Sequence, residues 1–282
     1  MAAIRTLTAS EFPPLLGEIP DVPPSLYIRG SLPPTDHKLL AVVGSRRMSS
    51  YGKEACEFLI AGLSGYPISI VSGLALGIDG IAHRSALNAR LHTIAVPGSG
   101  IRDEVLYPAT HRALAKDILA AGGALVSEEE PDFRARPESF PKRNRIMAGM
   151  SNAVLVVEAT LQSGTLITAR LASDYNRDVL TIPGSLFSET TEGPHLLLSL
   201  GATPVRTPGD ILRALGFEDT PTPHEMHLSA DEALVYEALA EPVARDELIR
   251  RLRMETALAT ALLISMELKG LITERLGLLH RR

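Results

Sequence analysis

The 282-residue chain has no tryptophan, one cysteine and only 4% aromatic residues. With so few rings, the core that its 45% hydrophobic residues can build must be filled by aliphatic side chains. The single cysteine, Cys56, cannot form an intramolecular disulfide, which points to a reducing compartment, the cytoplasm. Cys56 lies in the helical pattern EACEFLIAGL, where a small buried side chain is expected rather than a nucleophile. No stretch approaches the roughly 20 apolar residues of a membrane span. The N-terminus lacks the apolar run of a signal peptide. Neither GxGxxG after the first strand nor GxxxxGK[ST] anywhere is present, which lowers dinucleotide and P-loop readings. There is no GxSxG elbow and no pair of carboxylates at acid/base spacing. The formal net charge of -5 argues against a uniformly basic coat but leaves room for a local basic groove.

What is there begins with proline. Residues 1–37 carry Pro13-Pro14, Pro20, Pro23-Pro24 and Pro33-Pro34, so no long helix forms there. The segment reads as an extended strap on the next domain, with SLYIRG its most strand-like piece. Residues 38–217 then alternate short apolar runs with helical spacing. KLLAVV, ISIVSG, HTIAVPG, ALVSE, NAVLVVEA and DVLTIPG read as six strands, and ATPV near Ala202 as a seventh. Such alternation predicts an α/β fold, a doubly wound and mostly parallel sheet whose ligand lies at the carboxyl ends of the strands. After a Pro-containing linker at 218–228, residues 229–282 read as three helices and a hairpin, the order of a winged helix. Ser229 is the expected N-cap of the first of these helices. The presumed recognition helix, 256–268, has no Lys or Arg, so this small domain is expected to be a protein-interaction or accessory element rather than a groove reader.

Several strand ends carry small residues that leave backbone N–H groups open to an anion. Gly44-Ser45-Arg46 offers flexible backbone, a hydroxyl and a guanidinium fork, and equally fits an ordinary turn with a solvated arginine. Ser72-Gly73 opens a second Gly-rich connection. Asp79 and His83 stand one helical turn apart, but no third ligand accompanies them, so a hydrogen bond or cap is expected and no metal. The stretch 132–145 gathers Arg134, Arg136, Lys142, Arg143 and Arg145 around Phe140, a ring able to stack a base, and Asn144. A charge run of this kind is commonly a solvated face; its place before a strand end favours a ligand. Downstream, Ser163-Gly164-Thr165 opens a helix, a further anion site. Glu158 at a strand end is the best single candidate for a general base, yet it has no evident partner.

VVGSR, VSGLALGIDGIAH, TIAVPGSG, LYP, FPKRNRIMAG, VVEA, SGTLITA and IPG occur in this order. Together they resemble the DNA-processing protein A family (DprA, also called Smf) over roughly residues 25–217, and the tail resembles the winged-helix domain of many members. The resemblance implies an extended Rossmann-like domain and a homodimer. It implies a protein that binds single-stranded DNA and loads RecA onto it in natural transformation, without being an enzyme and without a cofactor. It also implies a phosphate pocket made of Gly44, Ser45, Arg46, Ser72, Gly73, Phe140, Lys142, Arg143 and Asn144, with Ser163, Gly164 and Thr165. Many members begin with a helical SAM-like domain, where this chain has the Pro-rich strap. The rival is a phosphoribohydrolase of a related Rossmann-like group. Its PGGxGTxxE motif is present here only as separated pieces, Pro97-Gly98-Ser99-Gly100 and Ser163-Gly164-Thr165.

Overall fold

The computed structural model describes residues 3–217, 229–252, 254–268, 271–275 and 277–281. Contacts divide the chain into two units, Met1–Asp219 and Thr220–Arg282. The expected linker, 218–228, lies outside the described residues.

The first unit is ordered by strand β3 (Lys38–Val43). Its apolar run is buried on both faces, and the period of two divides it. Leu39, Ala41 and Val43 enter one core layer, and Leu40 and Val42 enter the other. From β3 the chain winds one way through α1 (Ser50–Ala61), β4 (Ile68–Ser72), α2 (Ile78–Asn88), β5 (His92–Ala95), α3 (Arg112–Ala120) and β6 (Ala124–Ser127). It then returns through α4 (Ser139–Met150) to β7 (Ala153–Val156) on the other side of β3. It continues outward through α5 (Thr165–Asp174), β8 (Asp178–Thr181), α6 (Glu192–Ser199), β9 (Thr203–Pro204) and α7 (Pro208–Ala214). Strands β6-β5-β4-β3-β7-β8-β9 are parallel throughout. Helices α4 and α5 cover one face with Ile146, Met147 and Ala169, and α1, α2 and α7 cover the other with Leu59, Ile60, Ile78 and Ile211. Each fully buried Leu or Ile contributes about 2 kcal/mol. Strand order reverses at β3 and β7, and there the helices that follow the two strands leave toward opposite faces, opening a crevice.

The Pro-rich segment does more than strap the surface. Residues Ile4–Leu7 (β1) and Leu26–Gly30 (β2) pair with each other, and β2 pairs antiparallel with β6, so the sheet has nine strands. Between them, short 3-10 turns bury Leu16 and Ile19 against Gly149 of α4, where a Cβ would come within 3.0 Å of Leu16. Gly30 has φ +98°, and its Cα faces the Gly123 carbonyl so closely that a Cβ would lie 2.1 Å from the oxygen.

The second unit is a winged helix. It holds α8 (Ala230–Ala238), β10 (Val243–Ala244), α9 (Arg245–Leu252), α10 (Thr256–Leu268), β11 (Ile272–Arg275) and β12 (Leu278–Arg281), with sheet order β10-β12-β11. Ser229 caps α8, accepting from Glu232 N in a reciprocal capping box. Val235, Leu248, Leu263, Met266 and Leu279 form its core. The short β10 was missed by the sequence reading, because a two-residue strand has no periodicity to detect.

Candidate nucleic-acid interface

A cleft of about 720 Å³ opens at the crevice where strand order reverses. One wall is the turn after β3. Gly44 is pressed on Ile78, and a Cβ there would lie 2.6 Å from its side chain, so the turn runs tight to α2. Ser45 Oγ accepts from Arg47 N at 3.0 Å and its carbonyl accepts from Ile78 N at 3.2 Å, which fixes the turn and points Arg46 and Arg47 outward. Both arginines are exposed, and among the described residues neither is in an ion pair. The Arg46 guanidinium lies 5.1 Å from the centroid of the Phe140 ring, a cation–π distance. Phe140 in turn leans on Tyr107 at 5.8 Å and closes over Gly98, where a Cβ would meet the ring at 2.5 Å.

The floor is built on α4. The sequence reading treats Lys142, Arg143 and Arg145 as one basic cluster; the helix scatters them, because each residue turns the side chain by about 100°. Arg143 is buried and donates to the carbonyls of Gly73, at 2.7 Å, and of Val96. It faces Asp79, whose carboxylate accepts from Gly73 N at 3.1 Å and Ala75 N at 3.4 Å. Burial pushes the Asp79 carboxyl above its usual range, against the pull of Arg143 and the two N–H groups. Burial likewise lowers Arg143 to about 10, with Asp79 opposing, so the guanidinium stays charged at neutral pH. Lys142 leaves the cleft and pairs with Glu129 at 3.1 Å and Glu128 at 3.5 Å. The Glu129 hydrogen bond raises its pKa. Arg145 is buried between Glu128, at 2.6 Å, and Asp21, at 3.2 Å, where it ties the N-terminal segment to α4.

The far wall is the Ser163–Thr165 turn. Asn144 Nδ2 donates to Gly164 O at 3.4 Å. The first amides of α5 are spent locally: Thr165 N goes to Ser163 Oγ at 3.2 Å and Leu166 N to Ser163 O at 3.1 Å. This turn therefore supplies the helix dipole rather than open donors. Nothing lies within 4 Å of a Cβ built on Gly164, so the space above it is open to a ligand.

The structure thus brings Gly44, Ser45, Arg46, Phe140, Arg143, Asn144, Ser163, Gly164 and Thr165 together and leaves three residues elsewhere. Lys142 is outside the cleft for the reason given. Ser72 is fully buried and its hydroxyl donates to Val42 O at 2.6 Å, while Gly73 lies beneath Arg143, where a Cβ would come 2.1 Å from Nη1. Both support the floor without facing a ligand. Sequence reasoning missed Arg47, legible as the second arginine of GSRR, and the Glu189–Thr190 edge, for which no signal existed.

Asp79 and His83 do not meet. His83 Nδ1 pairs with Thr93 Oγ1 at 2.8 Å, and burial drops its pKa to about 3, so it is neutral. Cys56 is buried and its thiol is pushed up to about 12. Glu158 is 1% exposed and accepts from Ser49 N at 2.9 Å, Ser49 Oγ at 2.5 Å and Thr190 Oγ1 at 2.9 Å. It braces the start of α1 to the 185–191 turn. Glu158→Ala leaves those donors unpaired and is expected to cost about 3 kcal/mol in chemical denaturation; a loss below about 1 kcal/mol would reject the bracing role. Among the described residues no group of three or more His, Cys, Asp or Glu is placed to hold a metal, and no helix is long and apolar enough to cross a membrane.

Comparison with known proteins gives this geometry its family. The sequence model of DNA recombination-mediator protein A matches residues 3–216, and that of the DprA winged helix domain matches 218–277. The chain belongs to the DNA recombination-mediator protein A family. Among DprA and Smf relatives, it is 44% identical over 209 residues to protein Smf of Escherichia coli, a match covering 74% of this chain and 55% of that protein. The chain thus spans about half of that relative's length. It is 40% identical over 202 residues to DNA processing protein DprA of Streptococcus pneumoniae, covering 72% and 70% of the two chains. The X-ray structure of DprA from S. pneumoniae superposes with TM-score 0.69 at 38% identity over 74% of each chain. DNA processing protein A from Helicobacter pylori, described for its single-stranded DNA binding mode, superposes with TM-score 0.66 at 29% identity over 76% of this chain and 98% of that one. The Rossmann-like sheet and the winged helix of this DprA-family chain agree with the folds expected from the strand–helix alternation and motifs of residues 25–217 and from the tail.

Proposed function

We propose that the chain binds single-stranded DNA in the cleft at β3 and β7 and acts as a recombination mediator in the cytoplasm, not as an enzyme. The observation that carries this reading is Arg46 over Phe140: a guanidinium in no ion pair among the described residues lies 5.1 Å from a ring that can stack a base. An extended strand offers both groups in alternation, and a duplex hides its bases. The H. pylori relative's single-stranded DNA binding supports the same assignment. Family membership further supports a homodimer that loads RecA onto DNA during natural transformation. The engaged carboxylate of Glu158 argues against hydrolysis of nucleoside monophosphates.

The test is a titration of labelled single- and double-stranded oligonucleotides across salt. Tight, salt-sensitive binding of single strands with weak duplex binding is expected; equal affinity for both would overturn the reading. In the winged helix, α10 has no Lys or Arg, and Arg245 is held by Glu267 at 2.5 Å and Glu274 at 2.9 Å. Deleting residues 229–282 is therefore expected to change single-strand affinity less than ~10-fold, since few phosphate contacts are lost. A larger loss in the same titration would make this domain part of the binding surface.

A further inference from the structure

The 185–191 turn carries a second aromatic ring that the cleft does not use. Phe187 is 98% exposed and its neighbour Leu186 83% exposed, in a chain with six phenylalanines and no tryptophan. The turn that displays them is heavily braced. Phe187 N donates to Ser185 Oγ at 3.2 Å, Thr191 Oγ1 donates to Ser188 O at 2.8 Å, and Thr190 is bonded to buried Glu158 through its hydroxyl and to Ala159 N through its carbonyl. Phe187 and Leu186 side by side on an ordered turn form an apolar patch where a ligand would recover the missing burial. Its position says which. Glu189 and Thr190, two and three residues on, line the cleft. Ser185, Ser188 and Thr191 line a neighbouring hollow of about 500 Å³ together with Tyr51, itself exposed, whose hydroxyl donates to Pro183 O at 2.6 Å.

Charge is sorted across the same cleft. Arg46 and Arg47 stand on the β3 side, and Glu189 stands on the turn. A polyanion is drawn to the first and repelled by the second, so its phosphates lie along the arginines and its bases turn toward the 185–191 turn. We propose that Phe187 is a second base-stacking platform, taking a base of the strand as it leaves the anion cleft over Thr190. This rests on the single-stranded DNA reading above and extends its footprint beyond Phe140.

The absence of tryptophan makes the test direct. Phe187→Trp places one indole in the protein, and at a position so exposed the exchange leaves folding unchanged. Oligothymidylates of ~5 and ~16 nucleotides span the shorter and longer ends of single-strand sites. The longer is expected to quench the indole as it binds, while the shorter, held in the cleft, leaves it largely unchanged. Phe187→Ala is expected to weaken the longer oligonucleotide ~5- to 160-fold, the range for removing one base–aromatic stack, and to spare the shorter. Anisotropy of labelled DNA, read in parallel, separates the failures. If the long oligonucleotide binds with no quench and Phe187→Ala binds as wild type, the platform is overturned and the cleft stands. If neither oligonucleotide binds wild type, the single-stranded DNA reading fails and the platform with it. An indole that responds to protein concentration alone, and not to DNA, assigns Phe187 to a protein contact and also overturns the proposal.

Discussion

Arg46→Ala is expected to lower single-stranded DNA affinity about tenfold or more at low salt and to reduce the slope of log Kobs against log salt by about 0.7, the value for one phosphate contact on a single strand. The argument is one of availability. Arg46 is exposed, in no ion pair among the described residues, and presented by a turn that Ser45 fixes through Arg47 N and Ile78 N. Its charge is therefore free to displace counterions from DNA, and its removal costs the fold little. The loss also strips the cation from the face of Phe140. Lys142 is the internal control. Its ammonium already sits 3.1 Å from Glu129 and 3.5 Å from Glu128, so Lys142→Ala is expected to change affinity and slope much less. A titration in which Lys142→Ala exceeds Arg46→Ala would put the strand on the β6 side of α4 and reject the cleft.

Arg143→Ala is expected to act on folding instead, with a loss of about 3–5 kcal/mol, because it leaves two buried carbonyls without their donor and removes the buried positive charge that favours the Asp79 carboxylate. For a unit of this size that lowers Tm by roughly 6–20 °C. Arg143 donates to Gly73 O and Val96 O at the ends of β4 and β5, and it faces the buried carboxylate of Asp79. Without it, the buried Asp79 carboxyl loses the nearby positive charge that favours its ionised form. The pH dependence follows in sign. Burial already raises the folded pKa of Asp79 above the ordinary carboxyl value, so its ionisation opposes folding above the folded pKa, and that penalty is relieved as pH falls toward the ordinary value. Loss of Arg143 raises the folded pKa further. The stability gap between variant and wild type should therefore be widest at neutral pH and narrow on mild acidification. Adding Asp79→Asn should recover part of the loss at neutral pH. Denaturant unfolding at several pH values checks both; a gap that grows as pH falls would show that Asp79 is not the stranded charge.

The parts of this protein that could be read in one dimension share a property: their signal is local. KLLAVV ending at Gly44 reports a strand buried on both faces and the turn that must follow it. The GSR and SGT turns lie at the carboxyl ends of adjacent strands, so naming the ends nearly names the cleft. What escaped was periodicity hidden by chemistry. FPKRNRIMAGM reads as a basic run because its charges are adjacent, yet a helix sends neighbouring side chains in different directions, and one arginine goes under the cleft while the lysine goes behind it. Ser72 looked like a phosphate ligand because its backbone position is right; its hydroxyl was already claimed by Val42 O across the sheet, a pairing no local pattern records. The cleft edge at Thr190 arrives from 32 residues beyond Glu158, held by a hydrogen bond that only folding brings about.

The antiparallel pairing of β2 with β6 sets a practical limit on how the first unit can be shortened. Cutting at the last proline pair, which looks like a natural boundary, would strip β6 of its neighbour and uncover the seat of Leu16 and Ile19 on α4. The result is a bare strand edge beside an apolar patch, the combination that recruits a second copy edge to edge and ends in aggregates. For this chain, the Pro-rich segment thus covers both a strand edge and an apolar seat that shortening would expose.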